Sequence, residues 1–233
     1  MTDSPPASVE ISLTDDRSRL YVFFGGLAAE MPIPPFEFYN SSKIIDENKL
    51  FIRDFSQCWY HNGLANISTD IPTTADYLRQ QIATINPQRL FLVGNSMGGY
   101  AAILFAHLLG QGEVIAFAPQ TFIGPLLRFR HGDHRWKRKI KATYKKSLLK
   151  PKAWDLKPLL RHSASPPKVS IFVASNHRLD SLHANRIRGM GGVHIHGFES
   201  GGHDVVKLLR DQGCLPEIMA GTYCEGAIAP AKD

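Results

Sequence analysis

The chain has 233 residues, with 27 Lys and Arg against 21 Asp and Glu, a formal net charge of +6. That length suits one domain, residues 1–233, with enough chain to bury a core. With 43% hydrophobic and 21% charged residues, the composition excludes a disordered tail, a collagen and a coiled coil.

The N-terminal stretch MTDSPPASVEISL has no basic and then apolar region, so it does not read as a signal peptide. No apolar run approaches the roughly 18 residues of a membrane span. Three cysteines, Cys58, Cys214 and Cys224, are too few and too scattered for a disulfide scaffold or a CxxC zinc site. The odd count leaves a thiol free, which fits a reducing compartment. The expectation is a soluble, cytoplasmic protein.

Apolar and β-branched runs recur along the chain: SVEISL, RLYVFFGG, KLFIRDF, RLFLVGN, EVIAFAP, KVSIFVAS and GVHIHGF. Several are almost continuously apolar, as strands covered on both faces are. Helical stretches lie between them. TTADYLRQQIATIN offers Thr73 or Thr74 as its N-cap, MGGYAAILFAHLLG is apolar nearly all round, and HDVVKLLRDQG closes at a glycine. Strands alternating with helices predict an α/β fold: a doubly wound, mostly parallel sheet of about six to seven strands with flanking helices.

The charge is not spread evenly. Between Arg128 and Arg161 stand 13 Lys and Arg against only Asp133 and Asp155, a net of +11, so the rest of the chain carries −5. The densest part is RWKRKIKATYKKSLLK. It lies in residues 120–167, a long piece between two strands that reads as a basic helical lid or cap insert. A solvated helix face is one reading of the charge. A patch that attracts an anionic partner is the other.

The chemistry centres on Gly94-Asn95-Ser96-Met97-Gly98-Gly99. This G-x-S-x-G follows the strand RLFLVG and opens the helix MGGYAAILFAHLL, a context that gives a common pattern its weight. A serine there sits on a very tight strand-to-helix turn. Side chains at positions 94 and 98 would collide across it. The turn pushes the Ser96 hydroxyl out above the carboxyl ends of the strands. It also aims the helix N-terminus at any oxyanion formed there, with the Met97 N–H as first donor.

Such a serine needs a base, and the base an orienting acid. Of ten histidines, His203 follows the last strand on the loop ESGG and precedes a helix, and the glycines would let it swing towards Ser96. The acid is expected after the strand KVSIFVAS, where Asp180 is the only carboxylate of the loop NHRLDSLHANRI. The lesser reading of Asp180 is a helix N-cap, and Glu199 is the fallback acid. A zinc site built from His194, His196 and His203 lacks a fourth ligand at suitable spacing.

These three motifs, GNSMGG, the Asp180 loop and the GGHD loop, occur in the order of the α/β-hydrolase superfamily, which the sequence resembles from about Leu20 to Gln212. The resemblance implies Ser96 as nucleophile, His203 as general base and then acid, and Asp180 as its orienter, acting through an acyl-serine. It places the second oxyanion donor in the loop Gly25-Gly26-Leu27-Ala28, at Gly26 or Leu27. The usual His-Gly pair of that loop is here Gly25-Gly26. No metal or organic cofactor is required.

Trp59, Tyr60 and His61, in a segment rich in aromatic residues, could line a substrate-pocket mouth or simply pack on the sheet. Pro32–Ser42 could form another wall beside the oxyanion loop. The basic insert favours a small-molecule or carrier-bound acyl ester or thioester with an anionic part. No nucleic-acid-reading motif is present. Two alternatives stand beside a serine esterase or thioesterase: a catalytically silent binding module on the same fold, and a binder of acidic partners through the insert.

Overall fold

The structure, a computed structural model, describes residues 7–28, 34–147 and 151–223. Seven strands form one sheet: β1 (Val9–Ser12), β2 (Arg19–Phe24), β3 (Asn48–Ile52), β4 (Arg89–Asn95), β5 (Glu113–Phe117), β6 (Lys168–Ala174) and β7 (Val193–Phe198). Their order is β1-β3-β2-β4-β5-β6-β7. Only β1, at one edge, pairs antiparallel. All other pairings are parallel.

Strand β2 shows why the sheet is covered on both faces. Leu20, Val22 and Phe24 enter one core with Leu50, Leu92 and the helix α2 (Met97–Leu109). Tyr21 and Phe23 point the other way, into a second core with Phe91, Val93 and the helices α7 (Val205–Asp211) and α8 (Leu215–Ala220). Period-two alternation in a wholly apolar run therefore feeds two hydrophobic layers. Helix α2 is buried from Met97 to Ala106, as its all-round apolar sequence requires.

Helix α1 (Ile71–Ile85) starts earlier than its sequence suggests. The N-cap is Asp70, not Thr73 or Thr74; its carboxylate accepts the Thr73 N–H and Thr73 Oγ1 accepts the Asp70 N–H, a reciprocal capping box. Threonine pairs with the cap from the N3 position.

Within residues 120–167 the structure is largely helical: α3 (Pro125–His131), α4 (Lys137–Ser147), a 3-10 turn (Pro151–Trp154) and α5 (Leu156–Arg161). Ile123 and Ile140 anchor it in the core with α2. Helix α6 (Arg178–Arg186) follows β6. Cys58 and Cys214 are buried, and Cys224 lies outside the described residues.

The chain order β3-β2-β4 reverses direction between β2 and β4. At such a switch point the loops leaving the carboxyl ends of neighbouring strands diverge and open a crevice. Here those loops are Gly25-Gly26-Leu27 after β2 and Ser96 after β4.

Candidate active site

Ser96 joins β4 to α2 with φ 53° and ψ −112°, a backbone conformation costly for a residue with a side chain, on the order of 1–3 kcal/mol. Its neighbours make the turn possible. A Cβ on Gly94 would lie 2.2 Å from the Gly98 carbonyl, and one on Gly98 would lie 2.1 Å from the Phe24 oxygen. The Ser96 N–H donates to Phe117 O at 2.9 Å, which ties the elbow to the neighbouring strand.

His203 arrives on a short 3-10 turn (Gly202–Asp204) after β7. Gly201 and Gly202, at φ 109° and 57°, bend the chain back over the sheet end. His203 Nε2 lies 3.1 Å from Ser96 Oγ, and Nδ1 lies 2.6 Å from Asp180 Oδ2. With the ring proton on Nδ1 and donated to the carboxylate, Nε2 is left to accept from the serine hydroxyl. Ser96 is 5% exposed and Asp180 is fully buried.

Asp180 sits in the first turn of α6 and is not its cap. The cap is His177, whose Nδ1 accepts the Asp180 N–H at 3.3 Å and lies 2.8 Å from Oδ2. The other carboxylate oxygen, Oδ1, accepts from Arg135 Nη1 at 2.7 Å. Burial opposes the charge on Asp180, but hydrogen bonds and charge from His203 and Arg135 outweigh it and hold the carboxyl below its usual range.

Arg135 belongs to the insert, 45 residues away in sequence. It also grips Asp133 with Nε and Nη2, both at 3.1 Å. Asp133 is buried, and His183 Nε2 stands 3.1 Å from its Oδ2. The other His183 nitrogen accepts the Thr121 N–H at 3.0 Å, so His183 is the neutral donor to Asp133. Burial works against charge on both groups. On Asp133 the hydrogen bonds of His183 and Arg135 prevail and its carboxyl stays well below the usual range, while His183 is pushed down by its burial. A chain of polar contacts thus runs His203–Asp180–Arg135–Asp133–His183, with Asp180, Asp133 and His183 buried. Arg135, Asp133 and His183 were not singled out by the sequence reading. The one hint was that Asp133 is a lone acid in a run of cations.

The turn after β2 holds a second unanticipated group. Glu37 Oε2 accepts the Gly26 N–H at 2.6 Å, and Oε1 accepts from Asn95 Nδ2 at 3.1 Å. This carboxyl therefore bridges the Gly26 turn to the residue preceding Ser96. Its burial pushes it up to about 7, against the pull of its Asn95 and Gly26 hydrogen bonds. The Gly26 N–H is thereby engaged. Met97 stands in the first turn of α2, where backbone N–H groups have no intrahelical acceptor.

Trp59, Tyr60 and His61 lie in the interior and not at a pocket mouth. Trp59 and Tyr60 are fully buried; Trp59 Nε1 donates to Gln120 at 2.6 Å and Tyr60 Oη to Gly25 O at 3.0 Å. His61 Nε2 faces Tyr100 Oη at 3.3 Å, and burial lowers this histidine to about 4. The turn-in has a backbone cause: Trp59 and Tyr60 adopt φ 52° and 60°, and the buried Asp54 carboxylate accepts the N–H groups of Cys58 and Tyr60. Of Pro32–Ser42, Pro32 and Ile33 fall outside the described residues, and Phe38 is core.

His177, Asp180 and His203 are the described residues whose ligand atoms could gather round a metal ion, all within 4.8 Å of one another. The same atoms are engaged with one another, and Arg135 places a cation on the shared carboxylate. His194 and His196 do not join them; His196 stacks on Phe172 at 4.7 Å. A surface cavity of about 440 Å³, lined by Lys157, Arg161 and Arg188 among others, is separate from the Ser96 site. No helix among the described residues is long and apolar enough to cross a membrane.

No known family's sequence profile matches the chain, and no curated protein matches it in sequence. Solved structures match in fold. The capsule O-acetyltransferase of Neisseria meningitidis serogroup A superposes with a TM-score of 0.68 at 13% identity, over 91% of each chain. A carboxylesterase of the thaumarchaeon Nitrososphaera gargenis gives 0.56 at 13% identity, over 94% of this chain and 98% of the other. A CIB-like hydrolase from Thermoplasma acidophilum gives 0.53 at 14% identity, over 92% and 91%. The chain has the α/β-hydrolase fold.

Proposed function

We propose that this chain, on its α/β-hydrolase fold, is a serine enzyme that cleaves an ester or thioester through an acyl-serine. The observation that carries the reading is the hydrogen-bonded chain from Ser96 through His203 to the buried Asp180. His203 Nε2 takes the proton of Ser96 as its oxygen attacks the acyl carbon. The oxyanion is met by the Met97 N–H and by a donor from the turn after β2. With the Gly26 N–H engaged by Glu37, Leu27 is the assigned second donor. Each such donor is worth about 3–4 kcal/mol in the transition state. His203 then protonates the leaving group. It next deprotonates the incoming acceptor, which attacks the acyl-serine and frees Ser96.

The acceptor is water in a hydrolase and a hydroxyl in a transferase. A specific observation favours keeping the second: the O-acetyltransferase matches 91% of this chain in fold, and a His-to-Ala mutant of it is solved in complex with coenzyme A. Residues 120–167 act as a cap whose cations suit an anionic carrier or leaving group.

The test is a panel of p-nitrophenyl esters and acyl-thioesters, run with and without a polyhydroxyl acceptor, with Ser96→Ala as control and a fluorophosphonate probe for the serine. Labelling and turnover that vanish in Ser96→Ala support the enzyme. Product appearing on the acceptor instead of as free acid assigns the transferase. A folded protein that is neither labelled nor active is a binding module, and the proposal fails.

A further inference from the structure

We propose that the outer face of the cap, formed by α3 and α4, docks on an anionic phospholipid bilayer surface. Two features coincide there. On α3, Leu126 and Phe129 are 77% and 82% exposed, among the most exposed large apolar side chains of the described residues. Their i, i+3 spacing puts them on one side of the helix. The other exposed positions of α3 and α4, apart from Pro125 and Ala142, are cationic: Arg130, Lys137, Arg138, Lys141 and Lys145.

The inner sides of the two helices are spent on contacts within the cap and on burial. Arg128 reaches Asp133 and the Arg135 carbonyl, Tyr144 Oη donates to the Ile123 carbonyl, and Ile140 and Thr143 are buried. The sole carboxylate between Pro125 and Lys145 is Asp133, which is buried and already paired. Among the described residues no carboxylate lies within ion-pair distance of the five exposed cations. The face is therefore all positive and carries two bare apolar side chains.

That combination selects the partner. A soluble polyanion, whether a nucleic acid or an acidic glycan, satisfies the cations but has no use for a leucine and a phenylalanine held out in water. An anionic bilayer takes both: head groups meet the cations, and the two apolar side chains enter the region beneath them. The body, at −5 against +11 for the cap region, is repelled by the same surface, so the charge distribution allows one docking orientation. This inference stands on the outer face alone and does not depend on the acyl-transfer reading.

The experiment is co-sedimentation of the full chain with vesicles of phosphatidylcholine alone or mixed equally with phosphatidylglycerol. Expected is sedimentation with the mixed vesicles only, falling steeply as salt is added. Leu126→Ser/Phe129→Ser should weaken it by about tenfold or more. Lys137→Glu/Lys141→Glu should weaken it by about fivefold or more for each charge reversed. All four positions are exposed, so unchanged melting temperatures are expected and confirm folding. Absence of sedimentation at low salt overturns the proposal. So does retention of full binding by the Leu126→Ser/Phe129→Ser variant, which, with competition by heparin, reassigns the face to a soluble polyanion.

Discussion

Replacing Arg135 with methionine removes a guanidinium 2.7 Å from the carboxylate that faces His203, with little change in side-chain volume. The sign of the effect follows from the geometry. Asp180 stabilises a protonated His203, and Arg135 on its far oxygen opposes that stabilisation. Two unit charges roughly 7 Å apart across the carboxylate repel by about 2 kcal/mol at an effective dielectric constant of about 20. Arg135 is partly exposed, so the figure is discounted to about 1 kcal/mol, close to one unit of pKa. Loss of the cation also leaves Asp133 with Arg128 as its remaining guanidinium, so its charge is less compensated, which works in the same direction. The general base must be neutral, so the acid limb of the kcat/KM profile should move up by about one unit. Activity on the acid side of the limb should fall by up to about tenfold, with little change well above it. The groups that face Asp180 and could blur the result are His177, His203 and Arg135 itself, with Asp133 and His183 behind. The assay is the pH profile with a soluble ester, joined by an NMR titration of His203 that needs no turnover. Taking the shared guanidinium from two buried carboxylates costs stability, on the order of 3–5 kcal/mol. Arg135→Lys therefore serves as the companion variant, keeping the charge while losing the two-carboxylate grip. Should both variants melt earlier while neither moves the His203 titration, Arg135 is a structural tie and its influence on the base is refuted.

Ser96→Gly should abolish fluorophosphonate labelling yet raise the melting temperature, because glycine relieves a backbone held at φ 53°, by about 1 kcal/mol; a lower melting temperature would contradict the strain. Gly98→Ala should prevent stable folding or cost several kcal/mol, since its Cβ meets the Phe24 carbonyl at 2.1 Å; soluble, fully active Gly98→Ala would show that the elbow yields. Glu37 binds its proton more tightly in the folded state, at about 7 against 4.5 when unfolded, so its contribution is present below 4.5 and is lost as pH rises to about 7. Glu37→Gln should remove that slope, worth roughly 1–3 kcal/mol, and parallel melting curves for the two proteins across this window would exclude it. His61 gives the opposite slope: it is held at about 4 against 6.5 when unfolded, so its contribution is lost as pH falls from 6.5 to about 4. His61→Gln should flatten that acid limb of the melting curve.

What the sequence disclosed was local, or fixed by chain order. The elbow is visible because its strand, its glycines and its helix are contiguous, and because the requirement for glycine at positions 94 and 98 is steric. Asp180 and His203 are legible because each follows a recognisable strand of a parallel sheet. Arg135, Asp133, His183 and Glu37 were hidden for one reason. Each acquires its importance from a partner distant in sequence, and nothing about Arg135 separates it locally from the other cations of its run. Trp59 and Tyr60 were ambiguous because aromatic side chains suit a pocket rim and a core equally. What decides between them is a pair of left-handed backbone conformations held by Asp54, which residue type alone does not reveal.

The net charge of +6 conceals a further division that only the fold exposes. Among the described cations of residues 125–145, two groups stand apart. Arg128 turns inward to Asp133 and Arg135 to Asp133 and Asp180, so Arg135 acts on the carboxylate behind His203 and both are engaged within the fold. Arg130, Lys137, Arg138, Lys141 and Lys145 turn outward and meet no carboxylate among the described residues. The two sets share one short segment, Gly132–Trp136, which links α3 to α4 and carries both Asp133 and Arg135. A partner that pulls on the outer face therefore pulls on the strut that holds Asp180. A displacement of the segment large enough to break the 2.7 Å contact would take the cation from Asp180 without touching Ser96.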